Sequence, residues 1–269
     1  MGQSLPITVL GANGWIGSAL VAELKYQGQV VLPVDRALLP SWLAGSDQQG
    51  PVFYTIGLTA DFREKPYETV EAHVSLLSRI LQRPGINQLV YLSSTRVYGR
   101  SADTNEIAAL PCLTSDPSDL YNLSKLLGES LVLQDSRPGF KVVRLSNVVG
   151  KSQPQSTFLG SLIAELRTHG EVVIQQSPYV SKNYVAIKDV VQLLPQILFN
   201  GQHRLYNLGS VQNAMHVDVA EWFERYGYTV RFASNIDSGL SFPCLNVERL
   251  AKEFVIPSNP FLQPPFNLL

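Results

Sequence analysis

The chain has 269 residues, a mass of 29.7 kDa and a formal charge of −1, from 21 basic and 22 acidic side chains. With 45% apolar and 16% charged residues it has the composition of a folded domain, which excludes disorder, and it lacks the basic excess of a nucleic-acid binder. Its two cysteines, Cys112 and Cys244, are too few for a disulfide framework or a cysteine-rich zinc site.

Ile7-Thr8-Val9-Leu10 is a β-branched strand that ends at Gly11. Ile16, Ala19, Leu20 and Leu24 then recur at helical spacing, predicting a helix over Trp15 to Tyr26. Val30 to Val34 is a second strand, ending at Asp35, and Val52 to Ile56 a third. Val70, Val74, Leu77 and Leu81 predict a helix, and Leu89 to Leu92 is the continuous apolar run of a central parallel strand. A helix is expected over Leu120 to Leu133 and a strand over Val142 to Leu145. Strand and helix thus alternate through residues 1–150, which predicts an α/β fold with a doubly wound parallel sheet. The rest is less regular. Helices are expected over Thr157 to His169, Val217 to Tyr226 and Val247 to Phe254, short strands at Tyr184 to Ile187 and Leu205 to Leu208, and an extended proline-marked tail from Pro257. Residues 151–269 are read as a small substrate lobe, packed as one unit with the first part and partly interwoven with it.

Met1 to Leu10 lacks the cationic start and long apolar run of a secretory signal, and Pro6 stands where a myristoylation signal carries Ser or Thr. No apolar run approaches the ~20 residues of a membrane span. A cytoplasmic location is expected. The four histidines, His73, His169, His203 and His216, show no metal-ligand spacing, and no metal is expected.

Gly11-Ala12-Asn13-Gly14-Trp15-Ile16-Gly17 carries glycines at i, i+3 and i+6, after a strand and at the opening of a helix. This context suits a pyrophosphate: the backbone turns sharply, approaches the ligand closely and aims amides from a helix N-terminus. Asp35, 18 residues beyond Gly17, can accept hydrogen bonds from both ribose hydroxyls of NAD, while Arg36 could favour NADP.

Tyr121 and Lys125 stand at i and i+4, on one helix face. An ammonium there would lower the phenol from its usual pKa of about 10 toward a useful acid/base. The buried strand ending at Ser94 adds a hydroxyl at a carboxyl strand end, where open α/β sheets place their functional groups. In this order and spacing the chain resembles the extended short-chain dehydrogenase/reductase family, the NAD-dependent epimerase/dehydratase group, over Ile7 to about Phe254. Val142 to Gly150, Asn183 to Val190 and Tyr206 to Gly209 match its later motifs.

The resemblance implies a Rossmann-type fold and a set of roles. Tyr121 is the acid/base, Lys125 binds the nicotinamide ribose and tunes Tyr121, and Ser94 orients the reacting oxygen. Gly11, Gly14 and Gly17 hold the pyrophosphate, with Asn13, Trp15 and Ile16 in the loop, and Gly57, Leu58 and Thr59 pass along the cofactor. Asn147 and Lys182 face the substrate, with Ser94, Thr95 and Arg96 at the strand end. The implied reaction moves a hydride between the nicotinamide of NAD, or NADP, and a carbinol or keto carbon of a nucleotide-linked sugar, in a homodimer. The alternatives are a reductase of a smaller carbonyl compound and a non-catalytic dinucleotide sensor.

The chain also departs from the family. Only 22 residues separate Asp35 from Gly57, too few for the usual βα unit, so one sheet edge is expected to be cut back. The dehydratases carry an Asp-Glu pair after the strand-end hydroxyl; here stand Thr95 and Arg96, which leaves ketone reduction or epimerisation. Lys182 replaces an arginine expected on the diphosphate, and loses its bidentate fork. A second basic clamp expected near Ile236 to Leu240 is absent, and Ala186 replaces a histidine. His73 occupies the place of an asparagine near the active region. Arg144 is expected to be an ion-pair partner, Cys112 a half-buried thiol, and the leucines from Leu120 to Leu131 both core and a pairing face.

Overall fold

The computed structural model describes residues 5–45, 47–58, 61–237 and 241–263. They fall into two units built from separated stretches: Met1–Val97, Cys112–Leu145 and Lys188–Tyr206 in the first, Tyr98–Pro111, Ser146–Ile187 and Asn207–Leu269 in the second.

β1 (Ile7–Leu10) is buried along its whole length and runs into the glycine loop. α1 (Trp15–Tyr26) buries Gly17, Leu20 and Leu24 and has the expected bounds. β2 (Val31–Val34) is followed by a six-residue helix, α2 (Leu39–Ala44), and then directly by β3 (Val52–Tyr54). α3 (Pro66–Val70) passes through a π-helical segment, Glu71–Ser75, into α4 (Leu76–Gln82). β4 (Gln88–Ser94), α5 (Asp119–Gln134) and β5 (Gly139–Leu145) complete the alternation.

The later elements are β6 (Asn147–Val149), α6 (Phe158–His169), β7 (Glu171–Gln176), β8 (Ser181–Lys182), β9 (Tyr184–Ala186), α7 (Ile187–Asn200), β10 (Leu205–Leu208), β11 (Ala214–Met215), α8 (His216–Glu224), β12 (Thr229–Asp237) and α9 (Glu248–Ala251). α7, β7 and β12 were not foreseen in the sequence.

The main sheet has the order β10-β5-β4-β3-β1-β2, and the pairings from β2 through to β5 are parallel. Leu10 lies opposite both Val34 and Tyr54, so Gly11, Asp35 and Thr55 emerge together at the carboxyl end of the sheet. β2 is the last strand on its side. Between β2 and β3 the described residues hold only the short α2 and no further strand, and the sheet is cut back there as the length of the run implied. The first unit's core includes Leu10, Val52, Tyr54, Leu77, Ile80, Leu89, Tyr91 and Phe140. The second has its own, around Leu159, Leu166, Ile174, Tyr184, Trp222 and Phe223, with β12 parallel to β7 and β6 parallel to β9. Among the described residues no helix is long and apolar enough to cross a membrane.

Candidate active site

The glycine loop is shaped by close contacts that only hydrogen permits. Gly11 has φ +84°, a left-handed conformation that side chains rarely adopt. A Cβ on Gly17 would lie 2.2 Å from the Gly11 carbonyl oxygen and 2.7 Å from Thr55 Oγ1. Thr55 Oγ1 donates in turn to the Leu10 carbonyl at 2.7 Å, tying β1 to the end of β3. The first turn of α1 carries no acidic residue and no side-chain cap, so its amides are available to an anion. This cradle fits a dinucleotide pyrophosphate. Trp15 and Ile16 are half-buried beside it and Asn13 is exposed.

Asp35 closes its own turn, accepting from the amides of Ala37 at 2.9 Å and Leu38 at 3.0 Å. Its other oxygen takes the Asn13 amide at 3.2 Å, which ties the glycine loop to the end of β2. A carboxylate has about four acceptor sites, so capacity for a ribose hydroxyl remains. Arg36 is exposed.

α5 turns an unusual face inward: Tyr121, Ser124, Lys125, Gly128 and Glu129 are all buried. The leucines Leu120, Leu123 and Leu131 are only half-buried and Leu127 is exposed, so this stripe is peripheral to the first unit's core. Gly128 explains the close approach of the polar face. A Cβ there would meet the Tyr91 hydroxyl at 2.5 Å and the His73 carbonyl at 2.7 Å. Lys125 donates to the Leu92 carbonyl at 2.9 Å, and its Nζ lies 5.9 Å from the Tyr121 ring centroid. Burial pushes this lysine down to about 7, against the pull of Glu129. Burial pushes the Tyr121 phenol up, while a hydrogen bond with Ser94 and the Arg96 cation pull it down. A Cβ on Gly57 would be 3.4 Å from Lys125 Nζ and 3.2 Å from His73 Nε2, so the Gly57-Leu58 loop runs against the same groups. Thr59 lies outside the described residues.

The π segment explains where His73 sits. A π turn widens the helix and disturbs its hydrogen-bond ladder. The Tyr54 hydroxyl caps the Ala72 carbonyl and the Tyr91 hydroxyl donates to the His73 carbonyl at 3.3 Å. The imidazole then bridges two elements. Its Nδ1 is 2.8 Å from Ser124 Oγ, whose own proton goes to the Tyr121 carbonyl at 2.8 Å. Ser124 therefore accepts from Nδ1–H, which leaves Nε2 to accept from the Leu58 amide at 3.3 Å. The ring also meets the Tyr121 ring edge-on at 5.3 Å. Burial first, and the Lys125 cation second, lower its pKa to about 2.

Beneath the site Glu129 and Arg144 form a buried ion pair at 2.6 Å, joined by the Ser93 hydroxyl at 2.5 Å. On the other side of Tyr121 stand Phe62, ring to ring at 5.3 Å, and Arg96, at the second position after Ser94. Thr95 is buried. Phe62 and its neighbour Arg63 went unforeseen, because the stretch after Gly57 has no periodicity to place them. In the second unit, the Asn147 side chain donates to the Asn183 carbonyl at 2.8 Å, and Lys182 Nζ lies 4.2 Å from the Phe158 ring centroid. His216 is stacked on the same Phe158 ring at 4.8 Å. Cys112 is half-buried and Cys244 exposed, both as free thiols.

A parallel sheet with a glycine cradle after its first strand, and Ser, Tyr and Lys gathered at the end of a central one, defines a class of dinucleotide-dependent α/β enzymes. The sequence profile of the NAD dependent epimerase/dehydratase family matches residues 52–209. The chain belongs to that family, and NAD is the cofactor of the family. The glycine cradle precedes the matched segment and is an independent observation. Mouse dTDP-D-glucose 4,6-dehydratase is 29% identical over 130 residues, 47% of this chain and 36% of that protein, so the chain spans about a third of this relative's length. Among solved structures, MoeE5 in complex with UDP-glucuronic acid and NAD superposes with a TM-score of 0.76 at 22% identity, over 94% of this chain and 93% of the other. UDP-galactose 4-epimerase does so with a TM-score of 0.70 at 24% identity, over 94% and 93%. At such identities the likeness is one of fold.

Proposed function

We propose that this chain is an NAD(P)-dependent epimerase or ketoreductase acting on a carbinol or keto carbon of a nucleotide-linked sugar. The observation that carries this reading is the meeting of Ser94, Tyr121 and Lys125 in the unit that also bears the glycine cradle. Bound NAD would supply the hydride-transfer chemistry. Gly11, Gly14 and Gly17, with the α1 amides, would hold its pyrophosphate, Asp35 its adenosine ribose, and Gly57 and Leu58 would line its path toward Lys125.

In the proposed mechanism Ser94 donates to the reacting oxygen and Tyr121 exchanges a proton with it. Burial keeps the phenol protonated at neutral pH, so Tyr121 starts as the acid and gives its proton to a carbonyl oxygen. In the reverse direction the phenolate is stabilised by Ser94 and by the cations Arg96 and Lys125. Thr95 and Arg96 offer no carboxylate at the strand end, which favours epimerisation or reduction over 4,6-dehydration.

On the substrate side, Asn147 and Lys182 are proposed contacts of the second unit. The stretch Ile236 to Leu240 carries no Lys or Arg in the sequence, and this favours a second reading, reduction of a smaller carbonyl compound. The half-exposed leucines of α5 support a homodimer, and the protein is placed in the cytoplasm in this reading.

Purified protein tests the proposal. Stoichiometric retained NAD with interconversion of UDP-sugar C4 epimers supports the epimerase. NAD(P)H consumption with a UDP-4-keto-sugar supports the reductase. Tyr121→Phe should reduce either activity by about 10²-fold or more while still binding NAD. Full turnover by that variant would overturn the proposed role.

A further inference from the structure

Arg96 is a cation whose Nε has no hydrogen-bond partner among the described residues. It sits two residues after Ser94, and its backbone amide donates to Ser94 Oγ at 3.2 Å. Its guanidinium carbon lies 5.1 Å from the Phe62 ring centroid and 5.8 Å from that of Tyr121. The side chain is thus held by aromatic faces, in the stacked geometry that suits a planar guanidinium. Yet its Nε is buried and bonded to nothing. Buried donors are nearly always satisfied, and charged ones most of all, because an unmade bond costs the full desolvation of the group.

The surroundings compensate the charge only in part. A second cation, Arg63, stands nearby, stacked on the same Phe62 ring at 4.6 Å and bonded to Ser118 Oγ at 2.8 Å. The carboxylates within electrostatic range, Asp116 and Asp119, accept elsewhere. Asp119 takes the Leu113 amide at 2.7 Å and the Asn122 side chain at 2.7 Å, and Asp116 takes the Ser118 amide at 2.8 Å. Burial and the Arg63 charge accordingly push the Arg96 guanidinium down from its usual value. Two cations and two carboxylates balance, so a carboxylate would disturb the local charge less than a dianion would.

We propose that Arg96, backed by Phe62 and Arg63, is a subsite for a carboxylate that the substrate carries within one or two bonds of its reacting carbon. The substrate class is therefore an acidic sugar, a uronic acid or its keto form, rather than a neutral hexose. This rests on the reading that Ser94 and Tyr121 hold the reacting oxygen. The planar fork of Arg96 would take the carboxylate in a bidentate pair, and that pair would fill the open donor.

The test is calorimetric titration of the NAD-loaded full chain at low salt with four probes: UDP-glucuronic acid, UDP-glucose, D-glucuronate and D-glucose. UDP-glucuronic acid should bind about tenfold or more tighter than UDP-glucose. Arg96→Gln should bring the two within about twofold, and Arg96→Lys, which keeps the charge without the fork, should fall between. Equal affinities in the wild type, or a preference that survives in Arg96→Gln, would overturn the subsite. So would equal weakening of acid and neutral sugar, since that marks a general effect on the Tyr121 region. If neither UDP-sugar binds but D-glucuronate still binds in an Arg96-dependent way, the subsite stands and the nucleotide-sugar reading fails. If none of the four binds, both fail.

Discussion

Lys125 Nζ donates to the carbonyl of Leu92, two residues before Ser94 on the same strand, at 2.9 Å. The bond pins α5 to the end of β4, so the register of the helix against the strand sets the spacing of Tyr121 and Ser94. It also buries a charge that Glu129 supports electrostatically.

A pH dependence of stability follows from that burial. In the unfolded chain a lysine titrates near 10.4, whereas Lys125 in the folded chain titrates at about 7. Between these values the unfolded state binds the extra proton, so stability rises with pH above 7. Below 7 both states are protonated and the full penalty applies. Lys125→Met removes the penalty. Its stability advantage over the wild type should therefore be largest at pH 6 and shrink by on the order of 2 kcal/mol between pH 7 and 9. Urea melts of the NAD-free proteins across this range measure it, and parallel curves would refute it.

The cradle predicts a contrast between two glycines. Gly17→Ala drives a methyl to 2.2 Å from the fixed Gly11 carbonyl, so the loop must shift away from its pyrophosphate geometry. NAD affinity should fall by about tenfold or more, on the scale of a lost charge-assisted bond. Gly28 has φ +76° but nothing within 4 Å. Gly28→Ala should cost about 1 kcal/mol of stability and leave NAD affinity unchanged. Quenching of tryptophan fluorescence, with Trp15 beside the loop, reads both. Wild-type affinity in Gly17→Ala would show that the cradle is not the cofactor site.

The buried pair below the site gives a third expectation. Glu129→Ala leaves the Arg144 guanidinium, bonded to it at 2.6 Å, without its carboxylate in a dry environment. Removing one member of such a pair costs about 3–5 kcal/mol, whereas replacing both with apolar groups can be neutral. Glu129→Leu with Arg144→Met should therefore be more stable than Glu129→Ala alone in a denaturant melt. The same stability for the double and single variants would contradict this.

Much of this arrangement was legible because local signals agreed. The glycine loop follows a β-branched run and opens an apolar periodicity, which placed α1 to the residue, and strand-helix alternation placed the strands of the sheet to within about three residues. α7 escaped although Val190, Val191, Leu193, Leu194, Ile197 and Leu198 recur at helical spacing along one face, because Pro195 within the run is a residue that ordinarily ends a helix. β7 and β12 pair across more than fifty residues of sequence, and no local pattern encodes such a contact. Tyr121, Lys125 and Ser94 were singled out by their order and spacing together with the family resemblance, not by spacing alone. Arg96 was readable as a residue type at a position, but the unbonded state of its Nε is a tertiary fact. It depends on Phe62 and Arg63 arriving from a stretch with no pattern.

His73 carries the last prediction, and its tertiary setting determines the sign. The ring is neutral, with Nδ1–H on Ser124 Oγ at 2.8 Å and bare Nε2 on the Leu58 amide at 3.3 Å, so it links the Gly57-Leu58 loop to α5. Its folded pKa of about 2 lies far below the ~6.5 of an unfolded histidine. The unfolded chain therefore binds a proton that the folded one refuses, and the wild type loses stability as the pH falls below 6.5. His73→Leu lacks that titration. It should be about 1–3 kcal/mol less stable than the wild type at pH 7.5, because two buried groups lose their partner. The gap should narrow by on the order of 2 kcal/mol at pH 5. His73→Asn should recover part of the loss at pH 7.5, since an amide can both donate to Ser124 and accept from Leu58. Urea midpoints for the three proteins at the two pH values decide it. A gap that stays constant with pH would mean that the imidazole is not held neutral.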